Sequence, residues 1–262
     1  ISPYFNANPK KYISALVSED CWQATPGKVV DLVRNLGIAA GGTVMEDCRV
    51  LEACREGKYT SVLVQTHDKK YVEYRTEHFV NALGSGAGKL CDSMGIDAGL
   101  YPVRHQAFIT RRLPMLGKHG TNLDMLIDRQ DYKGFSAVYG QQIAYTGQII
   151  GCASPKLDAM RIDKNLKVNT KAFLEIVSEM FSEWIPDLAG VGIQAVWAGY
   201  YTEPRYIVDP ELGLFVGMRG HGFMLSQYIA RMYVDKLLGR PVPGYFEKLK
   251  LNGPGLSEKA FK

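Results

Sequence analysis

Long apolar runs are missing from this 262-residue sequence. None approaches the roughly 18 residues a membrane-spanning helix needs, which excludes a helical integral membrane protein. Cysteine is sparse, and Cys21, Cys48, Cys54, Cys91 and Cys152 form no C-x-x-C pair. Neither a zinc site nor a disulfide framework is expected, no residue is assigned to a metal, and a reducing, cytoplasmic compartment follows as the expectation. Charge of one sign is also lacking: 31 Lys and Arg against 27 Asp and Glu leave +4, with no basic run beyond three residues, so nucleic acid is not an expected partner. No signal peptide, internal repeat or low-complexity tract is found. The first residue is Ile1 rather than Met, and a processed or partial polypeptide is expected. What remains, 46% apolar and 22% charged residues, is the composition of a globular chain of one large or two small domains.

The pattern along the chain is mixed. Thr25-Pro26 opens a helix with an N-cap residue followed by proline at the first helical position, and Gly37 is the expected stop. A β meander follows, with strands in Val44–Cys54, Thr60–Thr66 and Tyr71–Arg75. Further strands are expected at Tyr101–Thr110, Met125–Asp128, Phe135–Tyr139 and Gln148–Cys152. A helix capped by Asn169 or Thr170 carries Phe173, Ile176, Val177, Met180, Phe181 and Trp184 at helical spacing, a core stripe. A strand near Gln194–Tyr200, a short one at Leu214–Gly217 and a helix over Phe223–Leu238 complete the elements, with an extended tail. The fold class is α+β with a large mixed or antiparallel sheet.

Two glycine-rich turns each follow an apolar strand and precede a helix: Ala82-Leu83-Gly84-Ser85-Gly86-Ala87-Gly88 and Gly217-Met218-Arg219-Gly220-His221-Gly222-Phe223-Met224. Such a turn lets backbone approach a ligand, and the following helix presents unpaired N–H groups and partial positive charge. Each alone reads equally as a tight strand–helix turn. Neither is a G-x-G-x-x-G after the first strand of a βαβ unit.

Taken together, in this order, "FVNALGSGAGKL", "MGIDAGLYPVRHQAFIT" and the segment "AVWAGYYTEPRYIVDPELGLFVGMRGHGFMLSQYIARMYVDKLLGRPVP" with its G-x-x-G-H-G-F resemble the FAD-dependent amine oxidoreductases of the D-amino-acid oxidase superfamily. That group includes glycine oxidase, sarcosine oxidase and dye-linked proline dehydrogenases. The resemblance covers the C-terminal two-thirds of a family member and implies a D-amino-acid oxidase-like FAD fold lacking its N-terminal βαβ segment. Residues 1–94 and 201–262 would be the remainder of the FAD-binding domain plus tail, and 95–200 an antiparallel-sheet substrate domain. The implied function is oxidation of a C–N bond of a small amine or amino acid by hydride transfer to flavin N5, the imine then hydrolysing. The alternative is a non-catalytic subunit or remnant that binds a partner or small molecule. A homo- or hetero-oligomer, with another chain supplying the nucleotide-binding segment, is consistent with the resemblance.

The resemblance also implies roles for particular residues. Ala82, Gly84, Gly86, Gly217, Gly220, Gly222, Phe223 and Met224 match cofactor-facing positions. FAD would be non-covalent, because Gly199 stands where some members carry the attachment cysteine. His221, Arg219 and Tyr201 are the catalytic candidates, although a lone histidine in a turn is equally a structural residue. Arg205, Tyr200 and Tyr132 are the substrate-binding candidates. An arginine fork suits a carboxylate, and equally a solvent-facing salt bridge.

Overall fold

The computed structural model describes residues 16–18, 20–117, 123–128, 134–143, 146–155, 170–186 and 189–256. The chain divides into two units, one formed by Val103–Tyr200 with Ile1–Val17, the other by Ser18–Pro102 with Tyr201–Lys262.

The apolar stripe expected from the sequence organises the first unit. It lies on helix α3 (Thr170–Trp184), and Phe173, Ile176, Val177, Met180, Phe181 and Trp184 are all buried. The stripe packs on a five-stranded sheet built from β4 (Tyr101–Thr110), β5 (Leu126–Asp128), β6 (Phe135–Ile143), β7 (Gln148–Pro155) and β8 (Ile193–Glu203), in the order β5-β6-β7-β4-β8. The pairs β5–β6, β6–β7 and β7–β4 are antiparallel. The register sets Phe108, Gly151, Gly140 and Leu126 side by side across four strands, on the face toward α3. Two glycines in that row make room for rings: a Cβ on Gly140 would lie 2.2 Å from Phe181, and one on Gly151 2.5 Å from Phe108. The two rings meet edge to face with centroids 5.2 Å apart, and the Trp184 ring lies 5.0 Å from Phe181.

The second unit begins with α1 (Pro26–Ala39), which runs past the expected stop at Gly37; the turn out of it uses Gly41 in the left-handed region at φ 94°. Thr25 makes no side-chain cap, and α1 buries none of its residues. The meander consists of antiparallel β1 (Arg49–Glu56), β2 (Tyr59–Gln65) and β3 (Tyr71–Thr76). The first strand starts at Arg49, so Val44–Cys48 leads into it as loop and turn. Helix α2 (Ala87–Ser93) places Leu90 in a cluster with Ala53, Val62 and Val64. A short antiparallel pair, β9 (Ile207–Asp209) and β10 (Leu214–Val216), is buried almost completely; of the two, the sequence pattern signals only β10. Helix α4 (Gly222–Leu237) packs Ile229, Met232 and Tyr233 against Val208 and the tail. The tail is not extended. It forms 3-10 structure over Gly244–Leu249 and buries Phe246 and Leu249, so apolar burial overrides the proline and glycine content that suggested an open strand.

Two consequences are testable. Gly140→Ala should destabilise the protein by about 1–3 kcal/mol through overpacking, because its Cβ collides with Phe181, which is already packed against Phe108 and Trp184. Chemical denaturation should show a lower midpoint with unchanged slope. On β4, burial holds the His105 imidazole down to about pKa 4. The folded value lies below the ordinary one, so stability is fully present above about pH 6.5 and declines as pH falls toward 4. Replacement by Gln should flatten that slope in pH-dependent melting curves.

Candidate functional site

The geometry of the first glycine turn is set by Asn81, which lies inside the segment FVNALGSGAGKL but is given no role there. Asn81 is 1% exposed and pairs with Leu214 in a parallel bridge. Its N–H donates to the Gly213 carbonyl at 2.8 Å, and its carbonyl accepts from Phe215 N–H at 3.0 Å. Its side-chain amide spans the turn that follows: Nδ2 donates to the Ala87 carbonyl at 3.0 Å, and Oδ1 accepts from Leu83 N–H at 3.2 Å. A buried amide satisfied on both of its ends fixes the path of the chain between them. The signal in the sequence is an Asn closing an apolar strand immediately before a glycine run.

Parallel pairing has a directional consequence. The chain leaves Asn81 and Leu214 in the same direction, so both glycine turns emerge at one edge, outside the carboxyl ends of neighbouring segments. From Asn81 the chain passes Ala82 and Leu83 into a 3-10 turn, Gly84–Gly86, and then α2; from Val216 it passes Gly217 and Met218 into a 3-10 turn, Arg219–His221, and then α4. Neither helix has a side-chain cap or an acidic residue in its first turn. Their leading N–H groups are backbone donors that the helices themselves do not use.

The second turn is held by the segment that follows the body of β8. Gly217 has φ 72°, and a Cβ there would sit 1.9 Å from the Arg205 carbonyl oxygen. Arg219, though not glycine, has φ 50°, and its Nε donates to Glu203 Oε2 at 2.5 Å. A Cβ on Gly220 would lie 2.7 Å from the Tyr201 ring, and one on Gly222 3.0 Å from Met218 Cβ. His221, the residue before α4, shares a 2.5 Å hydrogen bond between Nδ1 and the buried Tyr206 hydroxyl. A side chain at Gly220 would displace the Tyr201 ring and one at Gly222 would crowd Met218, while the left-handed backbone falls on Gly217 and Arg219.

The expected site residues sort accordingly. Ala82, Gly84, Gly86, Gly217, Gly220, Gly222, Phe223 and Met224 all belong to these two turns, with Phe223 and Met224 exposed at the start of α4. His221, Arg219 and Tyr201 belong to the second turn or its holding segment. Arg205 does not present a free fork: Nη1 donates to the Gly253 carbonyl at 2.9 Å and Nη2 to that of Leu251, so its guanidinium is bound to the tail in this structure. Tyr200 is half-buried on β8 in the first unit, and Tyr132 lies outside the described residues. A Cβ on Gly199 would meet nothing within 4 Å. Burial pushes the Cys91 and Cys152 thiols up, which removes thiolate character from both. Among the described residues no cluster of His, Cys, Asp or Glu could hold a metal, and no helix is long and apolar enough to cross a membrane.

The family model DAO, FAD dependent oxidoreductase, matches residues 2–236. L-proline dehydrogenase from P. horikoshii superposes with a TM-score of 0.68 at 24% identity, over 86% of this chain and 59% of its own. Glycine oxidase from Geobacillus kaustophilus gives 0.58 at 18% identity, over 82% and 54%. Iminodiacetate oxidase from Chelativorans sp. BNC1 gives 0.63 at 14%, over 87% and 58%. The chain therefore spans less than two thirds of each of these structures. No curated protein sequence matches it.

Gly217 and Gly84 (φ 54°), the left-handed glycines of the two turns, should respond very differently to a methyl group. Gly217→Ala should cost several kcal/mol, about 3 or more, because the new Cβ collides with the Arg205 carbonyl as well as straining the backbone. Gly84→Ala, whose Cβ would meet open space, should cost only about 1 kcal/mol. Melting of the two variants side by side checks the difference.

Proposed function

The chain belongs to the DAO family of FAD-dependent oxidoreductases, and from that premise we propose that it oxidises a C–N bond of a small amine or amino acid with non-covalent FAD. The observation that carries the reading is the parallel Asn81–Leu214 bridge, which brings both glycine turns to one edge of the second unit. We assign cofactor binding to that unit and substrate binding to the antiparallel sheet of the first.

The residues present suit the electron-poor ring of a flavin. Neither helix has a side-chain cap or an acidic residue in its first turn, and the partial positive charge of a helix N-terminus suits a group that gains negative charge on reduction. When bound, FAD supplies the acceptor for the two electrons removed from the substrate. Ala82, Gly84 and Gly86 would offer backbone to it from the first turn. Gly217, Gly220, Gly222, Phe223 and Met224 would do so from the second. Exposed Phe223 and Met224 add apolar surface that excludes water.

His221 is held by the Tyr206 hydroxyl and stands immediately before α4. Its role in this reading is to hold a polar group beside the ring. Arg219 already faces a carboxylate, that of Glu203, and is not assigned as a substrate clamp. Gly199 offers no nucleophile, so no covalent attachment is made there. Proline, glycine and iminodiacetate, the substrates in the names of the similar structures, define the class to be tried first.

The test is reduction of bound flavin. Protein carrying FAD should lose its visible flavin absorption anaerobically on addition of an amine or amino acid of this class, and acid precipitation should release all the flavin. His221→Ala should keep the flavin and slow its reduction about 10- to 100-fold, within the range typical of a lost positioned polar group. Flavin that stays on the chain after denaturation overturns the non-covalent assignment. An unreactive flavin across the class overturns the substrate assignment.

A further inference from the structure

Arg219 combines two properties that are seldom found together: a left-handed backbone, φ 50°, and a long charged side chain. A non-glycine residue is held in that region only where its surroundings impose it. Glu203 pairs with it: its Oε2 accepts from Arg219 Nε at 2.5 Å. The side chains of the pair are only 23% and 13% exposed, so solvent screens the interaction much less than at an open surface.

The pair is the centre of a longer grip. Residues 201–206 meet residues 217–221 at four points: the Tyr201 ring against Gly220, Glu203 on Arg219, the Arg205 carbonyl against Gly217, and the Tyr206 hydroxyl on His221. Arg205 is anchored in turn by the Gly253 and Leu251 carbonyls of the tail. Two of the four points are steric contacts with glycines, which forbid bulk but exert no pull. Glu203 supplies the charged pull, and it acts on the residue whose φ decides where the following peptide groups aim.

We propose that Glu203 is a positioning residue: through Arg219 it sets the aim of the backbone N–H groups that lead into α4. The flavin part of the test rests on the function proposed above, whereas the positioning itself does not. If Arg219 relaxed out of the left-handed region, the peptide units on either side would rotate, and the donors of residues 220–224 would turn with them.

Hydrogen–deuterium exchange on the flavin-free protein, paired with flavin titration of the same variants, tests this. Glu203→Gln should speed exchange of the amides of residues 219–224 about tenfold, with the β1–β3 meander unchanged. It should also weaken flavin binding by a similar factor. Arg219→Gly relieves the strained backbone but deletes the anchor, and it too should speed exchange. Wild-type exchange in Glu203→Gln overturns the proposal, as does an Arg219→Gly turn better protected than wild type, since the backbone would then need no anchor. Faster exchange with unaltered flavin affinity upholds the positioning role and overturns the placement of flavin at this turn. Should Glu203→Gln fail to fold, the double variant Glu203→Gln/Arg219→Gln carries the same readout. In that variant too, wild-type exchange at the turn overturns the proposal.

Discussion

The parallel pairing of Asn81 with Leu214 is the constraint on which the rest of the second unit depends. An antiparallel pairing of the same two segments would send the chain off in opposite directions, and the two glycine turns would end at opposite edges. The approach is close enough to require glycine at 213, where φ is 70° and a Cβ would lie 2.5 Å from the Phe79 carbonyl oxygen. Asn81 then uses its side chain to close the turn it opens, so one buried residue determines both the neighbour and the exit path. The apolar contacts of Ala87 and Cys91 with Ile207, Leu214 and Val216 hold the first helix against the same short strands.

The C-terminal segment completes the unit from the other side. Phe246 and Leu249 are fully buried beside Val208, Ile229 and Met232. Asp209 accepts from the N–H groups of Glu211 and Leu212, and from that of Leu251 in the tail. Lys250 reaches both Glu211 and Glu247, and Lys236 reaches Glu247. Such exposed pairs contribute little to stability on their own, typically well under about 1 kcal/mol. Burial of the two large side chains stabilises the tail more, and the ion pairs define register around it.

In the first unit the same logic runs through shape rather than hydrogen bonding. A sheet carrying glycines at 140 and 151 accepts aromatic rings from above, and α3 and β4 provide them in Phe181 and Phe108. Large and small residues alternate across the interface, which is how close packing is reached without voids.

Much of this is legible in the sequence, and the dividing line is physical. The α3 stripe, the antiparallel strands and the two glycine turns with their following helices all register as local period or local turn chemistry, so the α+β class and the two candidate turns can be read directly. Asn81 does not stand out because its significance lies in a partner far along the chain. The same holds for Arg205 and Arg219: an arginine beside a glycine turn reads as an anion clamp until the tail carbonyls and Glu203 are seen to occupy it. The glycines at 220 and 222 look like backbone requirements, whereas a side chain there would meet Tyr201 and Met218. The sequence by itself determined which segments become helices, strands and tight turns, because those depend on neighbours within a few residues. Only the tertiary structure decided that the two turns share an edge and which charged groups are already paired, because both depend on contacts whose partners are not adjacent in the chain.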